Sequence, residues 1–169
     1  KKTGIGKPLN FTRSRIAPQD NKALVLRFVE EVQNQHKLEL LNDLVSPDYV
    51  DHNGHVTPPN REGMANFFRV VFTAFPDARF TVHRQLAEGD KVMTHKTFYG
   101  THSGSFMGMP PTDKIVAFDV IDVFALKAGR IQEHWAVADE LGLMRQLGLE
   151  EGEKTRDPDL NNQINWPNN

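Results

Sequence analysis

The chain contains no cysteine. Disulfides, thiolate nucleophiles and thiolate-bound zinc are therefore excluded, while the compartment stays open. No apolar run approaches the roughly 18 residues that a membrane-crossing helix needs. There is no excess of positive charge: 20 lysines and arginines face 22 acids, for a formal net charge of −2. The composition gives no overall bias toward nucleic acid or a membrane surface. Three catalytic signatures are also missing. Gly4-Ile5-Gly6-Lys7 is too short for a phosphate-cradling loop and lacks its strand and helix. There is no G-x-S-x-G nucleophile elbow and no H-E-x-x-H pair. His52 and His55 follow Asp51 in a D-H-x-x-H cluster, and His95 and His102 add two imidazoles. That spacing, in a loop, matches no metal motif. The expectation is no metal, with one of these histidines donating a hydrogen bond in a pocket.

What is present fits one globular domain. The 169 residues carry 25% charged and 38% hydrophobic side chains, and glycine brings the apolar share to about 45%. The chain opens on Lys1-Lys2 rather than methionine. A removed signal peptide and an expression tag both fit that start, so export stays open beside a cytoplasmic expectation. Residues 1–17 form a basic arm holding Lys1, Lys2, Lys7, Arg13 and Arg15 and no acid. It reads as a solvated terminus, with a resting place on a partner subunit as the other reading of Ile5, Leu9, Phe11 and Ile16. The domain spans 18–149. Residues 150–169 form a polar tail in which Ile164 and Trp166 are the large apolar groups after Leu160.

Helical periodicity opens the domain. Leu24, Phe28 and Val32 fall four apart, with Asp20 or Asn21 as the expected cap. A short helix is expected over 38–45, ended by Pro47. Asn60 is placed to cap a third helix through Met64, Phe68 and Phe72, closed by Pro76. From Ala78 the period drops to two. Strands are expected over 78–86, 92–99, 115–126 and 131–137, with turns at Glu88-Gly89-Asp90 and Lys127-Ala128-Gly129. A last helix runs over 139–147, stopped by Gly148. Helices followed by hairpin-linked strands indicate an α+β fold. The expected form is a cone-shaped, curved antiparallel sheet wrapped around the N-terminal helices, with an internal apolar pocket.

Asp139 stands at the last strand-to-helix junction. As a helix cap it would accept amide hydrogen bonds; as a pocket carboxylate it would serve as a general base. The two settings move its pKa in opposite directions. His134 and Trp135 are strand neighbours and face opposite sides. On a regular strand Trp135, Val137 and Asp139 share a side, which would give the aspartate an apolar wall, although core packing alone accounts for a tryptophan. Asp119 and Asp122 interrupt an apolar strand and also face opposite ways; the inner one needs a partner.

Several blocks in order resemble the SnoaL-like polyketide cyclases, also called ester cyclases. They are Phe75-Pro76-Asp77, Glu88-Gly89-Asp90-Lys91-Val92, the loop from Gly100 through His102 and Met107-Gly108-Met109 to Thr112, Ile121-Asp122-Val123-Phe124, Gly129-Arg130-Ile131, and Glu133-His134-Trp135 with Asp139 and Gln146-Leu147-Gly148. Ser46-Pro47-Asp48-Tyr49-Val50-Asp51-His52 agrees more loosely. The resemblance covers roughly residues 20–149. It implies the nuclear-transport-factor-two-like cone, a homodimer or dimer of dimers through the sheet, and an intramolecular aldol closure without cofactor or metal, on a small apolar oxygenated molecule. It places Asp139 as the acid/base and His52 as the group that binds a substrate oxygen. Trp135, Val137, Asp122, His102 and Phe124 are the expected substrate-binding positions, with a structural role also expected for His102 in its loop. The sequence departs from the pattern in two places. Ala125 and Leu126 stand where basic residues are frequent, and Thr112-Asp113-Lys114 replaces T-G-R. Losing a basic pocket group would weaken carbonyl polarisation, which favours a non-catalytic binder of the same fold as the competing reading. An epoxide hydrolase would need an Asp-Arg-Asp set, and no arginine lies on 115–126. A ketosteroid isomerase would need a tyrosine near the base, from Tyr49 or Tyr99.

Overall fold

The computed structural model describes residues 18–148. The arm at 1–17 and the tail at 150–169 lie outside the described residues. The first helix, α1 (Pro18–Arg27), starts ahead of the expected cap. Proline suits a first helical turn because that turn has no use for its missing N–H, and Asp20 then sits where a carboxylate meets the positive end of the helix. α1 passes directly into a π-helix, Phe28–Asn34, which buries Phe28, Val29, Val32 and Gln33. A 3-10 turn (Leu38–Leu40) leads into the single-turn helix α2 (Leu41–Leu44) and strand β1 (Val45–Asp51). Pro47 lies within β1. It is tolerated because β1 is an edge strand. The longest helix, α3 (Arg61–Ala74), is capped by Asn60, whose Oδ1 accepts from the Gly63 N–H at 3.0 Å.

Four strands follow: β2 (Arg79–Glu88), β3 (Lys91–Thr101), β4 (Ile115–Lys127) and β5 (Arg130–Ala138). The last helix is α4 (Glu140–Leu147), closed by Gly148 in the left-handed conformation at φ +93°. The five strands form one curved sheet in the order β1-β5-β4-β3-β2. β2 to β5 are antiparallel neighbours, but β1 lies parallel to β5. The sheet is therefore mixed rather than wholly antiparallel. A parallel pair is joined by a long crossover rather than a turn, so no hairpin signal marks it in the sequence.

The helices cover the inner face of the sheet through two apolar clusters. One gathers Phe28, Leu41, Tyr49, Phe68, Phe124 and Ile131; the other gathers Val71, Phe75, Phe98, Val116, Leu143 and Leu147. Each fully buried side chain of this size contributes about 1.5–3 kcal/mol. An open cavity runs between helices and sheet and is walled by residues of both clusters. No helix among the described residues is long and apolar enough to cross a membrane.

Candidate active site

The cavity has a volume of about 470 Å³. Its walls are aromatic and aliphatic, with Phe67, Phe75, Phe80, Phe98, Phe118 and Val120 prominent. Against this apolar lining stands one row of charge, assembled by the sheet. Asp51 comes from β1, His134 from β5, Asp122 from β4 and Lys96 from β3, the order in which those strands lie. Asp51 pairs with His134 in register. Asp122 is a diagonal neighbour of both His134 and Lys96 on the same face. Acids and bases alternate along the row, so two carboxylates face an imidazole and an ammonium.

The contacts are close. His134 Nδ1 lies 3.2 Å from Asp51 Oδ2, and Nε2 lies 3.0 Å from Asp122 Oδ1. Lys96 Nζ forms an ion pair with Asp122 Oδ2 and donates to Gln33 Oε1 at 2.8 Å. Its ammonium also sits 4.4 Å from the centre of the Phe80 ring. The Tyr49 hydroxyl donates to Asp51 Oδ2. Asn53 donates to Asp51 Oδ1 from its backbone N–H at 2.8 Å and from Nδ2 at 2.7 Å. Its Oδ1 accepts from the Ala136 N–H at 2.7 Å, which fixes the orientation of that amide. The His134 ring is stacked on Phe124, with centroids 4.5 Å apart.

At Asp51, Asp122 and His134 burial and pairing compete, and pairing wins. Desolvation pushes the Asp122 carboxyl upward, but the Lys96 charge and the bonds to His134 hold it below the ordinary value of 3.8. Burial likewise opposes the Asp51 carboxylate, and hydrogen bonds from His134 and Tyr49 hold it low. Burial also opposes a charged His134, yet its bonds to Asp122 and Asp51 and their charges raise it above 6.5. The Tyr49 hydroxyl is pushed far up by burial and by Asp51, so it remains a donor.

Several expected positions fall elsewhere. The strand phase turns His134, Ala136 and Ala138 toward the cavity. Trp135 and Val137 face outward, and Val137 is 75% exposed. Asp139 is exposed and does not line the cavity. Its Oδ1 accepts from the Gly142 N–H at 2.8 Å and caps α4. Glycine at 142 permits that approach, because a Cβ there would lie 2.1 Å from Asp139 Oδ2. His52 is also on the outer side, stacked on Trp135 at 4.4 Å and paired with Glu133 at 2.9 Å. His102 is fully buried and packs against Phe75 and Phe106 without lining the cavity. Its carbonyl accepts from the N–H groups of Thr112 and Asp113, which ties the ends of its loop together. Phe124 supports the His134 ring from the core. Asp122 is the one expected binding residue that reaches the cavity.

The basic group missing after Phe124 is present elsewhere, as Lys96. Among the described residues, no group of three or more His, Asp or Glu side chains is placed to hold a metal ion. At the exposed rim of the cavity, His55 pairs with Glu140 at 2.7 Å.

Residues 23–147 match the family model described as SnoaL-like polyketide cyclase. The chain is similar to the nogalonic acid methyl ester cyclase of Streptomyces nogalater, 28% identical over 120 residues, which cover 68% of this chain and 88% of that one. It is similar to the aklanonic acid methyl ester cyclase DnrD of Streptomyces peucetius, 30% identical over 66% of this chain and 73% of that one. Among solved structures it is similar to TsrD of Streptomyces laurentii, with a TM-score of 0.72 and 28% identity over 79% of this chain and 98% of the other. IdmH of Streptomyces antibioticus gives a TM-score of 0.67 at 32% identity over 76% and 99%.

Proposed function

The chain belongs to the SnoaL-like polyketide cyclase family, and from that premise we propose that it closes a ring in a small, apolar, multiply oxygenated ester by acid/base chemistry, without a cofactor. The observation that carries the reading is the row Asp51–His134–Asp122–Lys96 at the wall of an apolar cavity. The relatives' names, which specify methyl ester cyclases, support the substrate class. In the proposed step the neutral form of His134, the minor form in the resting site, turns one ring nitrogen from its carboxylate and takes a proton from a carbon flanked by carbonyl groups. Asp51 and Asp122 stabilise the imidazolium that forms. The Lys96 ammonium faces the oxygen on which the enolate charge develops. The enolate carbon attacks a second carbonyl of the same molecule, and His134 returns the proton to the new alkoxide. The acid/base role thus passes from Asp139 to His134, and the oxygen-binding role from His52 to Lys96.

A dimer through the outer face of the sheet belongs to the same proposal. Leu86, Met93, Val123 and Trp135 line up across four strands there, beside exposed Ile121 and Val137.

The test is exchange of the acidic C–H of a neutral β-keto ester in deuterated buffer. The wild type accelerates exchange, and His134→Gln slows it by about 10²-fold or more. A folded His134→Gln protein that exchanges at the wild-type rate contradicts the assignment.

A further inference from the structure

His134 needs a partner that the carboxylates do not supply. An imidazolium offers one N–H to Asp51 and one to Asp122. The neutral ring that takes a proton has one N–H and one bare nitrogen, and a bare nitrogen beside a carboxylate meets no donor. Asn53 stands where that donor is required. Its Nδ2 lies 3.1 Å from His134 Nδ1 and 2.7 Å from Asp51 Oδ1. The backbone settles which way the amide points. Its Oδ1 accepts from the Ala136 N–H of β5, so Nδ2 faces the ring. The Asn53 N–H donates to Asp51 Oδ1 and closes a turn at the end of β1, which holds the residue in place. Among the described residues, the one hydrogen-bond partner of Nε2 is Asp122, so no donor waits at that nitrogen. We propose that Asn53 is a positioning residue that keeps His134 in its proton-accepting form by donating to bare Nδ1. This rests on the reading of His134 as the base. It adds which nitrogen takes the proton and which residue keeps that nitrogen free.

Nδ1 thus has two settings in one place. Bare, it accepts from Asn53; protonated, it donates to Asp51 Oδ2 at 3.2 Å. In the first setting the single ring proton sits on Nε2 and points to Asp122. The opposite tautomer would set a lone pair against the Asp122 carboxylate, which is costly in a buried site. A substrate C–H displaces the Asn53 N–H from the Nδ1 lone pair. The proton moves from carbon to Nδ1, and the electron pair of the C–H bond stays with the substrate as the enolate. Nothing is oxidised or reduced. The new Nδ1–H turns to Asp51, and return of the proton to the alkoxide restores the bare nitrogen. The charged groups nearby divide over the ring. Asp51 on β1 and Asp122 on β4 favour the imidazolium. Lys96 on β3 opposes it as a like charge from behind Asp122. Tyr49 on β1 donates to Asp51, and Gln33 of the π-helix accepts from Lys96. α3 brings no ionisable side chain to the cavity, and Glu140 of α4 is paired with His55 at the rim. Asn53 is the uncharged donor aimed at the ring itself.

The experiment uses the whole chain with isotope-labelled histidine and follows the His134 ring nitrogens by NMR against pH. Above its pKa the wild-type ring should carry its proton on Nε2, with Nδ1 at the shift of a bare nitrogen. A neutral ring protonated at Nδ1 overturns the proposal, and this outcome decides the question even if a variant fails to fold. In Asn53→Ala the neutral form loses its donor, so the His134 pKa should rise by about 0.5–1 pH unit, the worth of one hydrogen bond. The acid limb of C–H exchange on a neutral β-keto ester should move up by the same amount, with the plateau rate at high pH within a few-fold of wild type. A merely structural Asn53 gives the other sign: a loosened turn draws Asp51 away from the ring, and the pKa falls. An unchanged or lowered pKa in folded Asn53→Ala therefore overturns the proposal. The ring measurements do not depend on turnover. A ring that behaves as expected in a protein without exchange supports the hydrogen bond from Asn53 and overturns the role given to His134. Exchange that depends on His134, with a ring unmoved by Asn53→Ala, overturns this proposal alone.

Discussion

His134 is the residue on which the site turns. Both ring nitrogens face carboxylates, so its protonated form is favoured despite burial. Because its folded pKa is raised, its contribution to stability is complete below 6.5 and is lost as pH climbs through the folded value. Asp51 and Asp122 have the opposite sign. Their pKa values are depressed, so their contribution holds above 3.8 and fades as pH falls through the folded values. Urea midpoints measured against pH should therefore decline above pH 6.5, and His134→Gln should remove that decline. A wild-type midpoint that stays level through this range contradicts the pairing. Part of the row was legible in the sequence. Asp122 interrupts an apolar strand, which marked one of the two aspartates there as inward and in need of a partner. Lys96 carried a comparable signal, since Val92, Thr94, Lys96 and Phe98 share one face of β3, but a lone lysine in a strand draws little notice without its partner. The Asp51–His134 contact left no local trace, because the pair is created by β1 lying beside β5.

At the scale of the element, α4 explains Asp139. The sequence offered two roles for that carboxylate, a cap and a base, and both follow from its place between a strand and a helix. The alternation of β5 was legible, but its phase was not. A bulge between Ala125 and Leu126 shifts the β4–β5 register, and simple alternation does not say which of two neighbours faces in. Trp135 looked like pocket wall because it shares a side with Asp139 on a regular strand, yet His134 holds the inner position. The cap makes its own prediction. Asp139→Ala should destabilise the protein by about 0.5–2 kcal/mol, while Asp139→Asn, another good cap, should cost little. Both should keep C–H exchange within a few-fold of wild type. Loss of exchange in a stable Asp139→Asn protein would return the catalytic role to that residue. The helix over α3 and its Asn60 cap were readable because their signals are local.

For the whole molecule, strand order matters more than any single motif. Hairpin-linked strands and leading helices were enough to anticipate an α+β sheet over helices, while the parallel β1 edge depends on contacts far apart in the chain. The same sheet gives each face a separate task. The inner face carries the charged row, and the outer face carries Leu86, Ile121 and Val137, which are 61%, 43% and 75% exposed. If that face joins two copies, Val137→Lys should shift sedimentation toward the monomer and leave the circular dichroism unchanged. A wild type that sediments as a monomer at high concentration contradicts the assembly. The proposed inner-face chemistry depends on four strands delivering one ionisable side chain each, and His134 reports on that delivery. The most direct measurement is an NMR titration of the His134 ring in the wild type, Asp122→Asn and Asp51→Asn proteins. The account predicts a wild-type pKa above 6.5 that falls in each variant as a paired carboxylate is removed. A wild-type value at or below 6.5, unmoved in both variants, would contradict it.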